Sequence, residues 1–465
     1  MKKILFVAYY FPPVVASGGM RPLAFCRFLE PYGWGSRVLT TDPASVYPPH
    51  PVDPQLSSKI PCTVRVDAVP HGNPLQRVVA WRERLRALLL KGRYAEGQLE
   101  GPGQGHSNKP NPQGGVFSST KRLLLDWTFE FPDPQCAWLS SVTAYAKRMS
   151  RAEIPDIVFA TGGPWTSLLA GRRLAESWRV PFIADYRDPW TSNPYVSFAS
   201  AWLNAEARRL EESVVRTASR VITNTHELRL QLQKDYPGLV QKALTITNGF
   251  DPDSFSGFPK QMRPDQGGDT RTARTAVELC HFGTVYGKRT PTVLFQALLD
   301  LHQSGRVSSS EISLRFVGSW EVNEAKCEEQ AQRLEKLGFL KREPPVPYQA
   351  CLQQMKEADA LLVIQPDSPL QIPGKIYEYI ATRRPLLLIG GEGATAGLVR
   401  RHRLGLVCSN NGAQIHQLIL DMVEGRQSLP APVPEEVDRF NYRSLTEDLA
   451  KVLDEVHQAR AMKSA

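Results

Sequence analysis

Ile4-Leu5-Phe6-Val7-Ala8-Tyr9-Tyr10-Phe11-Pro12-Pro13 is an apolar run cut short by two prolines, and its surroundings say how to read it. Residues 4–9 are apolar almost throughout, as a parallel strand covered on both faces must be. A loop with Pro12, Pro13, Gly18 and Gly19 follows, then a helix expected over 20–32 that buries Leu23, Phe28 and Leu29. Gly33 and Gly35 mark a turn before a second strand at 36–40. This is a βαβ unit with a glycine loop at its first crossover. It lacks the tight Gly-x-Gly-x-x-Gly turn of a dinucleotide site. The opening run is too short for a signal peptide and has no small-residue cleavage site, so it reads as a buried strand.

Outward from this unit, strands are expected at 62–69, 157–160, 181–184, 221–224 and 244–247, interleaved with helices at 165–177, 203–218 and 227–234. A polar stretch over 261–276 precedes a second alternating set. Its strands are expected at 277–282, 313–317, 360–364 and 385–388, and its helices at 291–302, 324–337, 348–357 and 374–381. Two successive sets of parallel units imply two doubly wound α/β domains. We expect them over 1–248 and 249–430, with a helical segment over 431–465 returning toward the first. A chain of 465 residues is long enough for two hydrophobic cores.

Hydrophobic residues make up 42% and charged residues 22%, an ordinary globular balance. The seven cysteines are scattered without paired spacing, which argues for a reducing, cytoplasmic setting and against a zinc knuckle or disulfide scaffold. No apolar stretch approaches the ~20 residues of a membrane span. The net charge of +9 serves either solubility or attraction to an anionic partner such as nucleotide phosphate, lipid diphosphate or a membrane surface. Nucleic acid is not expected, because no recognition helix, zinc-finger spacing or aromatic RNA-binding strand accompanies the charge. A helix expected over 75–91 carries Arg82, Arg86 and Lys91, with Arg93 just beyond. It is either a surface helix with one buried side or a peripheral contact to the inner face of the cell membrane. Residues 97–115 are rich in glycine, proline and asparagine and read as a mobile insert.

In open α/β sheets, ligands bind beyond the carboxyl ends of the strands, so the polar residues there are the candidates. Phe282-Gly283-Thr284-Val285-Tyr286-Gly287-Lys288-Arg289-Thr290 lies between a strand and a helix. Its glycines permit close backbone approach, and Lys288 and Arg289 supply charge for phosphate. Otherwise it is a surface loop. Gln371-Ile372-Pro373-Gly374-Lys375-Ile376-Tyr377-Glu378 opens another helix. Glu378 could hold two ribose hydroxyls and Lys375 a phosphate, unless the two simply form a structural ion pair. Asp185, Arg187 and Asp188 follow a third strand, where a carboxylate could orient an acceptor hydroxyl. No zinc-protease, α/β-hydrolase or Walker motif is present. No acidic metal triplet stands out, so no metal and no separate cofactor is expected.

These pieces, with Thr161-Gly162-Gly163-Pro164-Trp165-Thr166-Ser167, Asp185-Tyr186-Arg187-Asp188-Pro189-Trp190 and Thr247-Asn248-Gly249-Phe250-Asp251, resemble the bacterial retaining glycosyltransferases of the family 4 type. The resemblance covers most of the chain. It implies the GT-B fold, two Rossmann-like domains facing across a cleft, and transfer from a UDP- or GDP-sugar to a glycan, glycolipid or small glycoside. By the same resemblance, Gly18, Gly19, Gly283, Lys288, Arg289, Lys375 and Glu378 bind the donor. Asp188, Arg187 and Lys288 serve the reaction itself. Many relatives carry a glutamate eight residues before the ribose-binding one, where this chain has Leu370. A nucleotide-sugar epimerase of the same fold and a non-catalytic glycan-binding protein are the alternatives.

Overall fold

The computed structural model describes residues 1–46, 48–72, 131–193, 196, 198, 200–256, 276–287, 289–365 and 369–464. The expected helix over 75–91, the insert over 97–115 and Lys288 lie outside the described residues. The chain divides into two compact units. The first comprises Met1–Ile222, Gly238–Lys242 and Leu453–Ala465, and the second Thr223–Pro237 and Ala243–Val452.

A seven-stranded sheet is built from β1 (Lys2–Val7), β2 (Trp34–Thr41), β3 (Arg65–Val69), β4 (Ile157–Thr161), β5 (Phe182–Tyr186), β6 (Arg220–Thr223) and β7 (Ala243–Thr245), in the order β3-β2-β1-β4-β5-β6-β7. The pairs β1–β2, β1–β4, β2–β3 and β4–β5 are all parallel. Helix α1 (Ser17–Phe28) makes the first crossover, and α2 (Thr166–Trp178) connects β4 to β5. Helix α1 starts earlier than its apolar pattern suggests, because Ser17, Gly18 and Gly19 already form its first turn.

The second unit contains β8 (Val277–Phe282), β9 (Val285–Tyr286), β10 (Ile312–Val317), β11 (Trp320–Glu321), β12 (Leu340–Glu343), β13 (Ala360–Gln365), β14 (Leu386–Gly390) and β15 (Gly405–Cys408), of which β9 and β11 form a separate two-stranded sheet. The main six strands run in the order β12-β10-β8-β13-β14-β15. Counted within the unit, that is 3-2-1-4-5-6, the doubly wound order. The core confirms the two-sided cover. Leu279, Leu362 and Ile364 join one apolar cluster, while Cys280, Leu361 and Val363 join another. Alternate side chains thus enter opposite layers, which is why β13 reads as an apolar run up to its final Gln365. Helices α3 (Tyr348–Glu357) and α4 (Lys375–Ala381) belong to the layer that carries Leu352, Ile376 and Tyr379. The last helix, α5, spans Tyr442–Ser464. Its Asp454 accepts from Trp34 Nε1 at 2.9 Å, and Arg460 donates to the Asp156 carbonyl at 3.1 Å.

Both sheets reverse their winding beside their first strand, between β1 and β4 and between β8 and β13. The crevice at such a reversal is where open α/β sheets take ligands.

Candidate functional site

In the second unit, the carboxyl end of β8 is fastened from α4. The Tyr379 hydroxyl accepts from the Phe282 amide at 2.7 Å and donates to its carbonyl at 3.1 Å. One turn earlier on the same helical face, Lys375 Nζ donates to that carbonyl at 3.0 Å. It also lies 3.0 Å from His281 Nε2. The next residue, Gly283, has φ +114°, a conformation that disfavours any side chain, and a Cβ there would stand 3.4 Å from the Lys375 ammonium. Burial, aided by the neighbouring charge of Arg289, brings Lys375 down to about 7. Arg289 itself lies over the Tyr286 ring at 5.3 Å and donates to the Tyr286 hydroxyl at 3.2 Å. Charge and an open glycine backbone therefore meet at the reversal point.

Glu378 does not pair with Lys375. Its Oε1 accepts instead from the Tyr348 hydroxyl, 3.0 Å away at the start of α3. The structural ion pair that sequence spacing allows is thus not formed, and the two side chains are left with separate tasks. Burial raises the Glu378 carboxyl above its usual range, opposed by the Tyr348 hydrogen bond and the Lys375 charge. Of the residues named for this half, Gly283, Arg289, Lys375 and Glu378 come together, and Lys288 lies outside the described residues. Sequence reasoning missed His281 and Tyr348. A histidine near the end of a largely apolar strand, immediately before Phe282-Gly283, was the available signal for the first.

In the first unit, Gly18, Arg187 and Asp188 gather around Gly163. Arg187 Nη2 donates to the Gly163 carbonyl, and Arg187 Nη1 lies 3.6 Å from Asp188 Oδ2. A Cβ at Gly18 would come within 2.8 Å of Arg187 Nη2, so this glycine leaves room for the guanidinium. Gly19 backs against the Phe11 main chain, where a Cβ would stand 3.2 Å from Phe11 Cα. No side chain caps the start of α1. Tyr10 borders the same group, its phenol raised by burial and by Asp133 and lowered by Arg187. Asp133, also missed in the sequence, is buried and accepts from Thr166 N at 2.8 Å and Thr166 Oγ1 at 2.6 Å.

Asp185 is not available to a substrate. It is fully buried and takes the Arg21 guanidinium at 2.8 Å (Nη2) and 3.0 Å (Nε), with Thr161 Oγ1 at 2.8 Å. The expectation that a carboxylate here orients an acceptor falls to Asp188, whose side chain is one-third exposed. Among the described residues, no group of three or more His, Cys, Asp or Glu side chains is placed to hold a metal ion. Nor is any described helix long and apolar enough to cross a membrane.

The family described as Glycosyltransferase Family 4 matches residues 121–254. No curated protein matches the chain in sequence. Among solved structures, the chain is similar to Anabaena Alr3699/HepE in complex with UDP, at 15% identity and TM-score 0.53, covering 100% of both chains. It is also similar to sucrose-phosphate synthase from Thermosynechococcus elongatus, at 12% identity and TM-score 0.55, over 99% of this chain and 100% of that one. A third is the apo lipopolysaccharide outer core galactosyltransferase WaaB, at 12% identity and TM-score 0.57, over 97% and 99%. At these identities the likeness is one of fold, and it extends over nearly the whole chain.

Proposed function

We propose that the chain is a family 4 glycosyltransferase of the GT-B fold, a reading supported by the family match over residues 121–254 and by the likeness of fold, and that it carries out a retaining transfer of a sugar from a UDP- or GDP-sugar to a hydroxyl. The acceptor is a glycan, glycolipid or small glycoside. The second unit holds the donor. Glu378 takes the ribose hydroxyls, and Gly283, Lys288, Arg289 and Lys375 take the diphosphate. Gly18 and Gly19 also serve the donor, and Arg187 and Asp188, with Lys288, serve the reaction with the acceptor. The observation that carries this reading is the cluster at the end of β8, where Lys375 stands beside the bare backbone of Gly283. The UDP bound to the Anabaena protein of the same fold supports the same class of donor.

Chemically, the departing diphosphate gains negative charge as its bond to the sugar breaks. Cations fixed in advance stabilise that charge more in the transition state than in the ground state, which is what accelerates a reaction. A diphosphate oxygen on the same face of the sugar can accept the acceptor's proton, so retention needs no separate base. We place the enzyme in the cytoplasm, with Arg82, Arg86, Lys91 and Arg93 contacting an anionic membrane. Sedimentation with anionic vesicles at low salt tests that contact, and no binding there removes it.

The central test is release of UDP or GDP from a panel of nucleotide sugars, with and without acceptors. Release that depends on acceptor identifies a transferase, conversion of the donor alone an epimerase, and binding without turnover a glycan-binding protein. Glu378→Ala is expected to stay folded and to lose at least about tenfold in kcat/KM for the donor, the order expected for losing hydrogen bonds to a charged group. Near-normal turnover at low donor concentration in that variant rejects the donor site.

A further inference from the structure

His281 has no part in the donor site as just described, yet it is buried at the end of β8. The β8–β13 register ends at Cys280–Leu361. One residue on, the Leu362 carbonyl lies 3.0 Å from His281 Nδ1. A carbonyl oxygen only accepts, so Nδ1 carries the ring proton and Nε2 presents a lone pair. Lys375 Nζ donates to that lone pair and to the Phe282 carbonyl, each at 3.0 Å. Two of the three ammonium hydrogens are thereby directed, one remains for a ligand, and Nζ stands 3.4 Å from where a Cβ of Gly283 would lie. Burial and the Lys375 charge hold the His281 pKa down near 3, so the ring stays a neutral acceptor throughout the physiological range.

Resting on the donor reading above, we propose that His281 is a positioning residue that aims Lys375 at the donor diphosphate, and that Lys375 takes up a proton when a nucleoside diphosphate binds. The groups facing Lys375 make this a matter of balance. Arg289, from beyond β9, opposes its charge, whereas Glu378 on α4 favours it, and His281 on β8 and the Cys351 thiol on α3, pushed up by burial, are neutral. Without nucleotide, Lys375 loses its proton as the pH rises through about 7. A diphosphate beside it stabilises the ammonium and raises that pKa. Between the two values, binding draws one proton from solvent onto Nζ, and nucleotide affinity falls as the pH rises. No bond other than N–H forms.

Isothermal titration of UDP and of GDP at pH 8, in two buffers of different ionisation heat, measures this proton directly. The terminal phosphate, with a second pKa of about 6, is already ionised there. Uptake of about one proton per nucleotide is expected, with affinity falling roughly tenfold between pH 7 and pH 8.5. Lys375→Met should abolish the uptake. His281→Gln keeps an acceptor near the Nε2 position, while His281→Asn keeps only a donor to Leu362. The first should therefore retain the uptake and most of the affinity, and the second should lose roughly tenfold in affinity. Binding without proton uptake, or uptake that survives Lys375→Met, overturns the inference and leaves the donor reading standing. Equal behaviour of the two folded histidine variants reduces His281 to packing and overturns its positioning role. If no nucleoside diphosphate binds, the donor reading falls and this inference with it.

Discussion

At Glu378 the candidate site depends on a neighbour 30 residues away in the chain. The carboxyl is already raised by burial, and the Tyr348 hydroxyl is the largest influence drawing it back down. Tyr348→Phe therefore removes a hydrogen bond to the ionised form, which pushes the pKa of Glu378 further up. Only the carboxylate can accept two ribose hydroxyls, so donor affinity is full above that pKa and is lost as the pH falls through it. In the variant this acid limb should move to higher pH. At neutral pH we expect donor KM to rise about three- to tenfold with kcat little changed, the pattern of an interaction shared by ground and transition states. A fall in kcat at saturating donor, with the acid limb unmoved, refutes this role for the pair. Dependence on a remote neighbour is also why Tyr348 eludes sequence reading. Tyr348 follows Pro347 at a helix start and meets Glu378 only when α3 and α4 share a layer, and nothing in its local pattern marks it.

Between elements, the Arg21–Asp185 pair ties α1 to the end of β5. It thereby fixes the backbone on which Gly18 and Gly19 sit and the one that leads to Arg187. Both side chains are almost wholly enclosed, at 1% and 0% exposure, so removing one strands a charge without solvent. Arg21→Ala should lower unfolding free energy by about 3–5 kcal/mol, read from a denaturant curve at neutral pH. A loss below about 1 kcal/mol, the level of an exposed pair, shows that the tie is not what holds these segments. The pair also shows how much a sequence discloses. Strand β13, Ala-Leu-Leu-Val-Ile-Gln, is legible because both its faces are covered. Strand β12, Leu-Lys-Arg-Glu, is not, because an edge strand carries charges along its length. Strand β15 has only four residues, three of them partly exposed. At the start of α1, Gly18 and Gly19 disguise a helical turn as a loop. Their residue type suits both readings, and only packing against Phe11 and Arg187 decides between them. Asp185 and Asp188, close in sequence and alike in chemistry, part company because one faces Arg21 inside the unit and the other is partly exposed.

At the scale of the whole chain, two sheets with separate cores mean that unfolding need not be a single two-state step. A ligand stabilises only the folded unit it touches, by about 2.7 kcal/mol at a concentration one hundred times its Kd. Gly283, Arg289, Lys375 and Glu378, assigned to the donor, all lie in the second unit, so UDP should raise the transition of that unit in calorimetry. In Glu378→Ala the rise should shrink. If UDP leaves the second transition of the unaltered protein unmoved, these residues do not hold the nucleotide and the assignment is rejected.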